Sequence, residues 1–407
     1  MDIIRLIILI IEWLVFVFFA LAVVYIFIYG IAGLFYKQKP VIAKSKLRKF
    51  AVLIPGYKED NVIVNVAREA TKQKYPQELF EIIVIADSFK KETLDALKKL
   101  PIRVVEVSFE VSKKSKALNK CMEVIGDDYD VAFILDADNV MEPDVLMKIN
   151  SSFERGFHAV QGHRTAKNLN SHYAVLDAIS EEINNHIFRK GHRVLGISSA
   201  LIGSGMGLDY KLFKETMATV DSVGEDKEVE LKIIKQGYTI DYVDDAIIYD
   251  EKTQRSDAFV NQRRRWIAAQ LDYFRSHFFD GIKELLTRGN FDYFDKVIQM
   301  VQPPRIILTG ELFIISVFYG LIYLLPLKSW QPFFQPGFYL WLALFILTTF
   351  TLIISVPGKF YNKKTIRALL YLPSGFLLMI ISLFKVKGAT KKFLHTEHDH
   401  VDEIKHN

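Results

Sequence analysis

From Ile3 to Tyr36 the chain is an almost unbroken run of Ile, Leu, Val, Phe, Ala and Tyr, with only Arg5 and Glu12 charged. A helix needs about 20 apolar residues to cross a bilayer core, so this run suffices for one crossing and is too short for two. It is far longer than the ~7–15-residue apolar stretch of a secretory leader, and no small-residue cleavage site closes it. The expectation is a retained N-terminal anchor. The segment that follows carries Lys37, Lys39, Lys44, Lys46, Arg48 and Lys49 and no acid. Basic flanks stay on the inner side of a membrane, which places the N-terminus outside and the residues after the anchor in the cytoplasm.

Three further apolar runs sit at the far end: Ile306–Leu327, Gly337–Val356 and Ala368–Phe384. The third is short and broken by Pro373, with lysines on both sides. The expectation is four crossings with the C-terminus outside. The alternative is a re-entrant or interfacial last segment with the tail inside. Glu311 falls within the second run, where an acid marks either a functional site or a helix end facing water. Between the two apolar ends lies a polar middle, which explains why half the chain is hydrophobic yet mean hydropathy is only +0.16. The single cysteine, Cys121, excludes a disulfide framework or a cysteine-based zinc site. A net charge of +5 is too mild to argue for nucleic acid.

The middle alternates. Short apolar runs at Phe50–Pro55, Glu81–Ala86, Ile102–Val107 and Asp130–Leu135 read as strands, and Val62–Lys74, Thr93–Leu100 and Ser115–Ile125 as helices. That rhythm predicts an α/β domain with a parallel sheet covered by helices, and ligands at the C-terminal strand ends. The residues placed there are Tyr57 and Glu59 after the first strand, Asp87 after the second, and Asp136 and Asp138 after the fourth.

Asp136 and Asp138 are two apart, so in extended chain they share a face, and two carboxylates there suit Mg²⁺ or Mn²⁺. A bare D-x-D is more often a solvated turn; its place at a strand exit favours the metal. Lys113, Lys114 and Lys116 are either a charged helix start or a point charge for a diphosphate. Gly203-Ser204-Gly205-Met206 is either a plain turn or a loop where backbone approaches a ligand. Glu225-Asp226 opens a helix, where acids are electrostatically favoured, or supplies a general base. Gln262-Arg263-Arg264-Arg265-Trp266 is either an interfacial helix on anionic lipid, or an arginine fork for phosphate beside a stacking surface for a sugar. His395, His398, His400 and His406 belong to a polar tail.

In this order the motifs resemble the processive family 2 glycosyltransferases, the group of the cellulose, chitin, hyaluronan and poly-N-acetylglucosamine synthases. The likeness covers residues 50–270 by motif and the whole chain by layout. Pro55-Gly56-Tyr57-Lys58-Glu59 resembles the family's nucleotide-binding start, with Lys58 where Asn is common. Asp87-Ser88 stands where a pair of Asp is usual. Lys114 matches the phosphate-side lysine, Asp136 and Asp138 the metal site, and Gly203–Met206 the acceptor loop. Glu225-Asp226 matches an E-D motif, with Gly224 replacing the usual Thr, and Gln262, Arg265 and Trp266 match Q-x-x-R-W.

The resemblance implies a Rossmann-like GT-A fold, an inverting mechanism, a UDP-sugar donor and a divalent cation, Mg²⁺ or Mn²⁺. It implies donor binding by Pro55, Tyr57, Glu59, Asp87, Lys114, Asp136, Gln262 and Arg265, and metal binding by Asp138 and Asp136. Acceptor binding falls to Trp266, Gly203, Ser204 and Gly205, and catalysis to Asp226 with Glu225. The product is a growing polysaccharide or, alternatively, a lipid-linked or short acceptor carrying one added sugar. The expected plan is an anchor at 1–36, a basic linker at 37–49, the GT-A domain at 50–255, interfacial helices at 256–304, a membrane bundle at 305–385 and a tail at 386–407. Such a protein would be multi-pass in the inner cell membrane, with its catalytic domain in the cytoplasm.

Overall fold

The computed structural model describes residues 3–42, 45–220, 222, 224–252, 256–325 and 335–384, with 256–266 and 382–384 described by backbone alone. The first helix, α1 (Ile3–Gly33), is followed by β1 (Phe50–Tyr57), α2 (Ile63–Ala70), β2 (Phe80–Asp87), α3 (Lys91–Leu97), β3 (Arg103–Val107), α4 (Lys114–Ile125) and β4 (Val131–Ile134). Strands β1 and β2 lie parallel with Phe50 opposite Phe80 and Tyr57 opposite Asp87, and β4 lies parallel to β1 on its other side. Alternation along these strands sorts their side chains into two cores. Ala51, Leu53, Ile83, Ile85, Ala132 and Ile134 enter one, and Phe50, Val52, Ile54, Ile82, Val84, Val131 and Phe133 the other. Both faces are buried, which is why these strands read as continuous apolar runs.

The rest of the domain comprises β5 (Val140–Met141), α5 (Val145–Glu154), β6 (Ala159–Ala166), α6 (His172–Asn184), a π-helical turn at Asn185–Gly191, α7 (His192–Val194), β7 (Met206–Asp209), α8 (Tyr210–Met217), α9 (Glu225–Lys235) and β8 (Ile240–Asp250). The eight strands form one sheet in the order β3-β2-β1-β4-β7-β6-β8-β5. It is mixed and not purely parallel as expected. Strand β7 lies antiparallel to both β4 and β6, and β5 antiparallel to β8. The βαβ rhythm ends at β4. Strand β7 enters from the Gly203–Gly205 turn, without the crossover helix that parallel neighbours require.

Among the described residues six α-helices follow: α10 (Ser256–Arg288), α11 (Phe291–Gln299), α12 (Arg305–Leu324), α13 (Phe338–Ile354), and the pair α14 (Lys363–Leu369) and α15 (Leu372–Phe384). Among the described residues, α1 and α12 are long and apolar enough to cross a membrane, and α14 with the start of α15 forms a pair bent by 44°. The run expected at Gly337–Val356 forms only the 17-residue α13, about 26 Å at 1.5 Å per residue, the lower limit for a crossing. Helix α11 packs into the domain, with Tyr293 and Val297 fully buried.

Helix α1 is 31 residues long, about 46 Å, while a bilayer core is about 30 Å thick. The excess is used for docking. Residues from Ile3 to Leu21 expose most of their large apolar side chains, whereas Ile26, Tyr29 and Gly33 are buried. Gly33 lies against His186, whose Nε2 pairs with the Gly30 carbonyl at 2.8 Å, and Gly191 packs on the Tyr29 backbone. Close by, Arg305 at the start of α12 donates to Asn184 Oδ1 at 2.6 Å and Ser180 O at 3.0 Å, tying α12 to α6.

Candidate active site

The strand exits on one edge of the sheet carry the candidate residues. At the ends of β1 and β2 the chain makes two left-handed turns at residues other than glycine, Lys58 (φ 57°) and Ser88 (φ 61°). Such φ values are uncommon outside Gly and Asn, so both turns are held in place. The Lys58 N–H donates to Asp87 O at 3.1 Å, and the Ser88 hydroxyl donates to Asp87 Oδ1 at 2.9 Å. Asp60 joins the two loops by accepting from Lys90 N and Thr93 Oγ1. Asp87 is buried at 2% exposure. An Asn at position 58, common in the resembled family, suits this backbone better than Lys does, which explains the preference physically. Gly56 is the contact between this loop and the next strand exit. A Cβ there would meet the Phe89 ring at 2.7 Å and Ala137 Cβ at 3.5 Å.

Ala137 lies between Asp136 and Asp138. Strand β4 stops at Ile134, and Asn139 N–H bonds back to Asp136 O at 3.0 Å. The two acids therefore sit in a tight turn, and the extended alternation expected for them does not apply. The turn is anchored from behind: Asp136 N–H donates to Ser204 Oγ at 2.9 Å, and Asn139 donates to Asp250 Oδ1 at 3.0 Å. Asp138 is buried at 9% exposure.

The centre of the site is Lys114, the first residue of α4. Its ammonium lies 2.5 Å from Asp136 Oδ1, 2.8 Å from Gly203 O and 3.4 Å from Glu225 Oε1. Burial pulls its pKa down, but the carboxylates of Asp136, Glu225 and Asp226 outweigh that and hold it above the ordinary lysine value. Asp226 is the fourth partner in space. A Cβ added to Gly203, whose φ is +78°, would come 3.5 Å from Lys114 Nζ and 3.6 Å from Asp226 Cβ. Burial pushes Glu225 up to about 7, against the pull of Lys114 and with added repulsion from Asp226. Gly224 caps α9 without a side chain, and Tyr273 of α10 supplies the polar contact there, its hydroxyl donating to Gly224 O at 2.9 Å and lying 2.6 Å from the Ser222 hydroxyl.

Lys114, Asp136, Gly203, Ser204, Glu225 and Asp226 thus form one cluster at the sheet edge, with Asp138 on the same turn. Pro55, Tyr57, Glu59 and Asp87 line the neighbouring exits. Gln262, Arg265 and Trp266 lie on the first turns of α10, ahead of Tyr273; their side chains, like the histidine tail, fall outside the described residues.

A sequence profile described as "Glycosyltransferase like family 2" matches residues 48–269, more than half of the chain. The chain belongs to this family. It is a glycosyltransferase. The matched segment contains every strand and all the clustered residues. A curated relative, "Probable glycosyltransferase YdaM" of Bacillus subtilis (strain 168), is 22% identical over 295 residues, 68% of each protein. Among solved structures, the mannosyltransferase PcManGT of Pyrobaculum calidifontis, described in complex with GDP-Man and Mn²⁺, aligns over 85% of this chain and 99% of its own with a TM-score of 0.54. At 14% identity it shares the GT-A fold.

The glycosyltransferase holds a cation-binding environment of its own making. The donor set around Lys114 Nζ consists of two carboxylates and one carbonyl, all hard oxygen ligands of the kind Mg²⁺ or Mn²⁺ uses. Among the described residues no group of three or more His, Cys, Asp or Glu side chains could hold a metal. A cation at Asp136 and Asp138 would therefore complete its shell with oxygens from elsewhere, as Mg²⁺ commonly does with substrate phosphates. Asp136 and Asp138 are the residues that would hold such a cation.

Two supporting residues escape a motif-based reading. Gln161 of β6, fully buried, accepts from Ile202 N–H at 3.1 Å and donates to Ser204 O at 2.9 Å and Gly205 O at 3.2 Å, fixing the whole 202–205 loop. Glu230 of α9 accepts from Leu201 N–H at 3.3 Å and from Lys227 at 2.8 Å, with Lys296 of α11 at 3.5 Å. Next to Lys296, Asp295 receives the Tyr29 hydroxyl of α1 at 2.6 Å and pairs with His192 at 3.1 Å. These buried contacts lead from the loop through α9 and the adjacent residues Lys296 and Asp295 of α11 to α1. Gln161 and Glu230 carry no sequence signal, because a lone polar residue in an apolar strand or helix looks the same whether it faces solvent or clamps a loop.

Proposed function

We propose that this glycosyltransferase moves a sugar from a UDP-sugar to a growing polysaccharide at the cytoplasmic face of the inner cell membrane, inverting the anomeric carbon. The observation that carries the reading is the convergence of Lys114, Asp136, Glu225 and Asp226 on the Gly203 loop at the ends of the strands. Asp226 takes the proton of the acceptor hydroxyl as its oxygen bonds to the anomeric carbon, and the bond to the diphosphate breaks with its electron pair leaving on UDP. Direct displacement with one base gives inversion. Lys114 counters the charge that develops on the leaving group, and Arg265 is assigned the same task. Glu225 holds Lys114 in place. A divalent cation carried by Asp138 and Asp136 would supply further neutralisation of the diphosphate. That PcManGT is described with GDP-Man and Mn²⁺ supports a nucleotide-sugar donor and a divalent metal, and leaves the choice of UDP to the motif resemblance.

Pro55, Tyr57, Glu59, Asp87 and Gln262 are assigned to the nucleotide, and Gly203–Gly205 with Trp266 to the acceptor. The basic stretch after α1 supports a cytoplasmic catalytic domain. A multi-pass topology rests on α1 and α12 together with the shorter apolar helices. The Q-x-x-R-W motif favours a polymer product. A second reading is one sugar added to a lipid-linked acceptor; among the described residues two helices, or three counting the bent pair, are long and apolar enough to cross a membrane, which suffices to hold an enzyme beside such an acceptor. The test is a radiolabelled UDP-sugar assay in membranes carrying the full chain. A ladder of products supports polymer synthesis, and a single shifted species supports the second reading. Absence of divalent-dependent UDP release from UDP-glucose, UDP-N-acetylglucosamine, UDP-galactose and UDP-glucuronate would refute the UDP-sugar assignment.

A further inference from the structure

We infer that Lys114 is a stand-in for the divalent cation: it and the metal compete for Asp136, and its transfer onto a diphosphate opens the acid to the metal. The inference rests on the reading of the site as a metal-assisted nucleotide-sugar site.

The geometry has three parts. First, Lys114 Nζ is engaged by oxygens from three separate elements: Asp136 Oδ1 from the turn after β4, Gly203 O from the acceptor loop, and Glu225 Oε1 from α9. Two of its three N–H donors are hydrogen-bonded, to Asp136 and Gly203, and Glu225 adds an ion pair. Second, Asp136 Oδ1 is the atom in closest contact, at 2.5 Å, and Asp136 is one of the two acids assigned above to the cation. Two cations cannot share that carboxylate at contact distance without strong mutual repulsion. Third, the lysine sits on a flexible four-carbon stem at the first residue of α4, with its side chain 20% exposed, so its charge can be redirected without moving the fold.

A diphosphate placed beside α4 offers Lys114 anionic oxygens in exchange for Asp136. The freed carboxylate and the bound phosphates together then form a metal site that neither makes alone. Metal and nucleotide should therefore bind with positive coupling, and the coupling must be reciprocal. Until that exchange Lys114 also neutralises the mutual repulsion of Asp136, Glu225 and Asp226, keeping the acids assembled. A lysine that only contacted phosphate would make nucleotide binding stronger and leave metal binding by itself untouched.

The experiment measures Mn²⁺ binding to the full chain in detergent, by electron paramagnetic resonance or calorimetry, with Mn²⁺ alone and with Mn²⁺ plus UDP or GDP. Lys114→Gln keeps hydrogen-bond donors for Asp136 and Gly203 but removes the charge; Lys114→Met serves as the second variant should the first fail to fold. The expected result is that the neutral variant binds Mn²⁺ alone at least ~10-fold tighter than the wild type, a change of about 1.4 kcal/mol. The gain should disappear when Asp138→Asn is added. In the wild type the same or greater tightening should appear only when nucleotide is present. Equal Mn²⁺ affinity in the wild type and both neutral variants, without nucleotide, would overturn the stand-in role while leaving the metal-assisted reading intact. Failure of every form to bind Mn²⁺, with UDP and with GDP, would remove the metal-assisted reading and this inference with it.

Discussion

Alkaline pH should loosen the strand that supports the Gly203–Gly205 loop, and His163 is the reason. This residue lies on β6, two positions after Gln161. Its Nδ1 is 2.9 Å from Asp244 Oδ1 and its Nε2 is 3.1 Å from Glu182 Oε2. A ring with a carboxylate at each nitrogen is held best as the imidazolium, which donates at both ends. Burial lowers its pKa, but the bonds to Asp244 and Glu182 outweigh burial and raise it from 6.5 to about 9. The same bonds hold Asp244 at about 2, against its own burial. Other groups face the cluster: Lys190 on Asp244 at 2.7 Å, Lys359 on Glu182 at 2.9 Å, Thr165 on Glu182 at 2.7 Å and the Tyr242 hydroxyl on Asp244 at 3.2 Å. Because the folded pKa lies above the unfolded one, the stabilisation is full below about pH 6.5 and is lost as pH rises through about 9. At ~1.36 kcal/mol per pH unit the whole effect is roughly 3 kcal/mol, of which roughly 2 kcal/mol disappears between pH 7 and 9. Thermal unfolding of the detergent-solubilised protein across that range, for the wild type and His163→Gln, measures it. The wild type should lose stability with rising pH, and the variant should start lower and change much less. Parallel profiles for the two proteins would refute an imidazolium clamp.

Two further predictions concern the site. Asp226→Asn should fold and bind UDP while sugar transfer falls by about 10²–10⁴-fold, the usual worth of a general base; near-normal turnover would take Asp226 out of that role. Gly203→Ala should lower stability by about 1–2 kcal/mol, since φ is +78° there, and should also cut transfer because the new methyl sits between Lys114 and Asp226. Gly237→Ala is the control, with φ +89° and nothing within 4 Å of its Cβ: a similar loss of stability with unchanged turnover is expected, and equal loss of turnover in both would show that strain alone is responsible.

Much of the architecture was legible because it is local. Phe50–Pro55, Glu81–Ala86 and Asp130–Leu135 are apolar runs ended by Pro, Gly or Asp, and all three are central parallel strands with the candidate residues at their exits. The apolar run at Ile3 was legible as a helix, because in a bilayer a run of that length and composition would have no other way to satisfy its backbone. The spacing of Asp136 and Asp138 was legible, but their turn was not, because where β4 ends is set by the bond from Asn139 back to Asp136 and by Ser204, which is distant in sequence.

What the sequence alone determined is therefore the set of elements and the residue types at their ends, since alternation, apolar length and breaker residues act over a few neighbours. What only the tertiary structure decided is which ends meet. The insertion of β7 between β4 and β6 carries Gly203 to Asp136, and α9 then delivers Glu225 and Asp226 to Lys114. Gln161, Glu230 and the docking of Tyr29 on Asp295 hold that arrangement through buried bonds between residues tens to hundreds of positions apart. No local pattern encodes such pairings, because each depends on strand order and on which polar groups are left to find partners once the two apolar cores have closed.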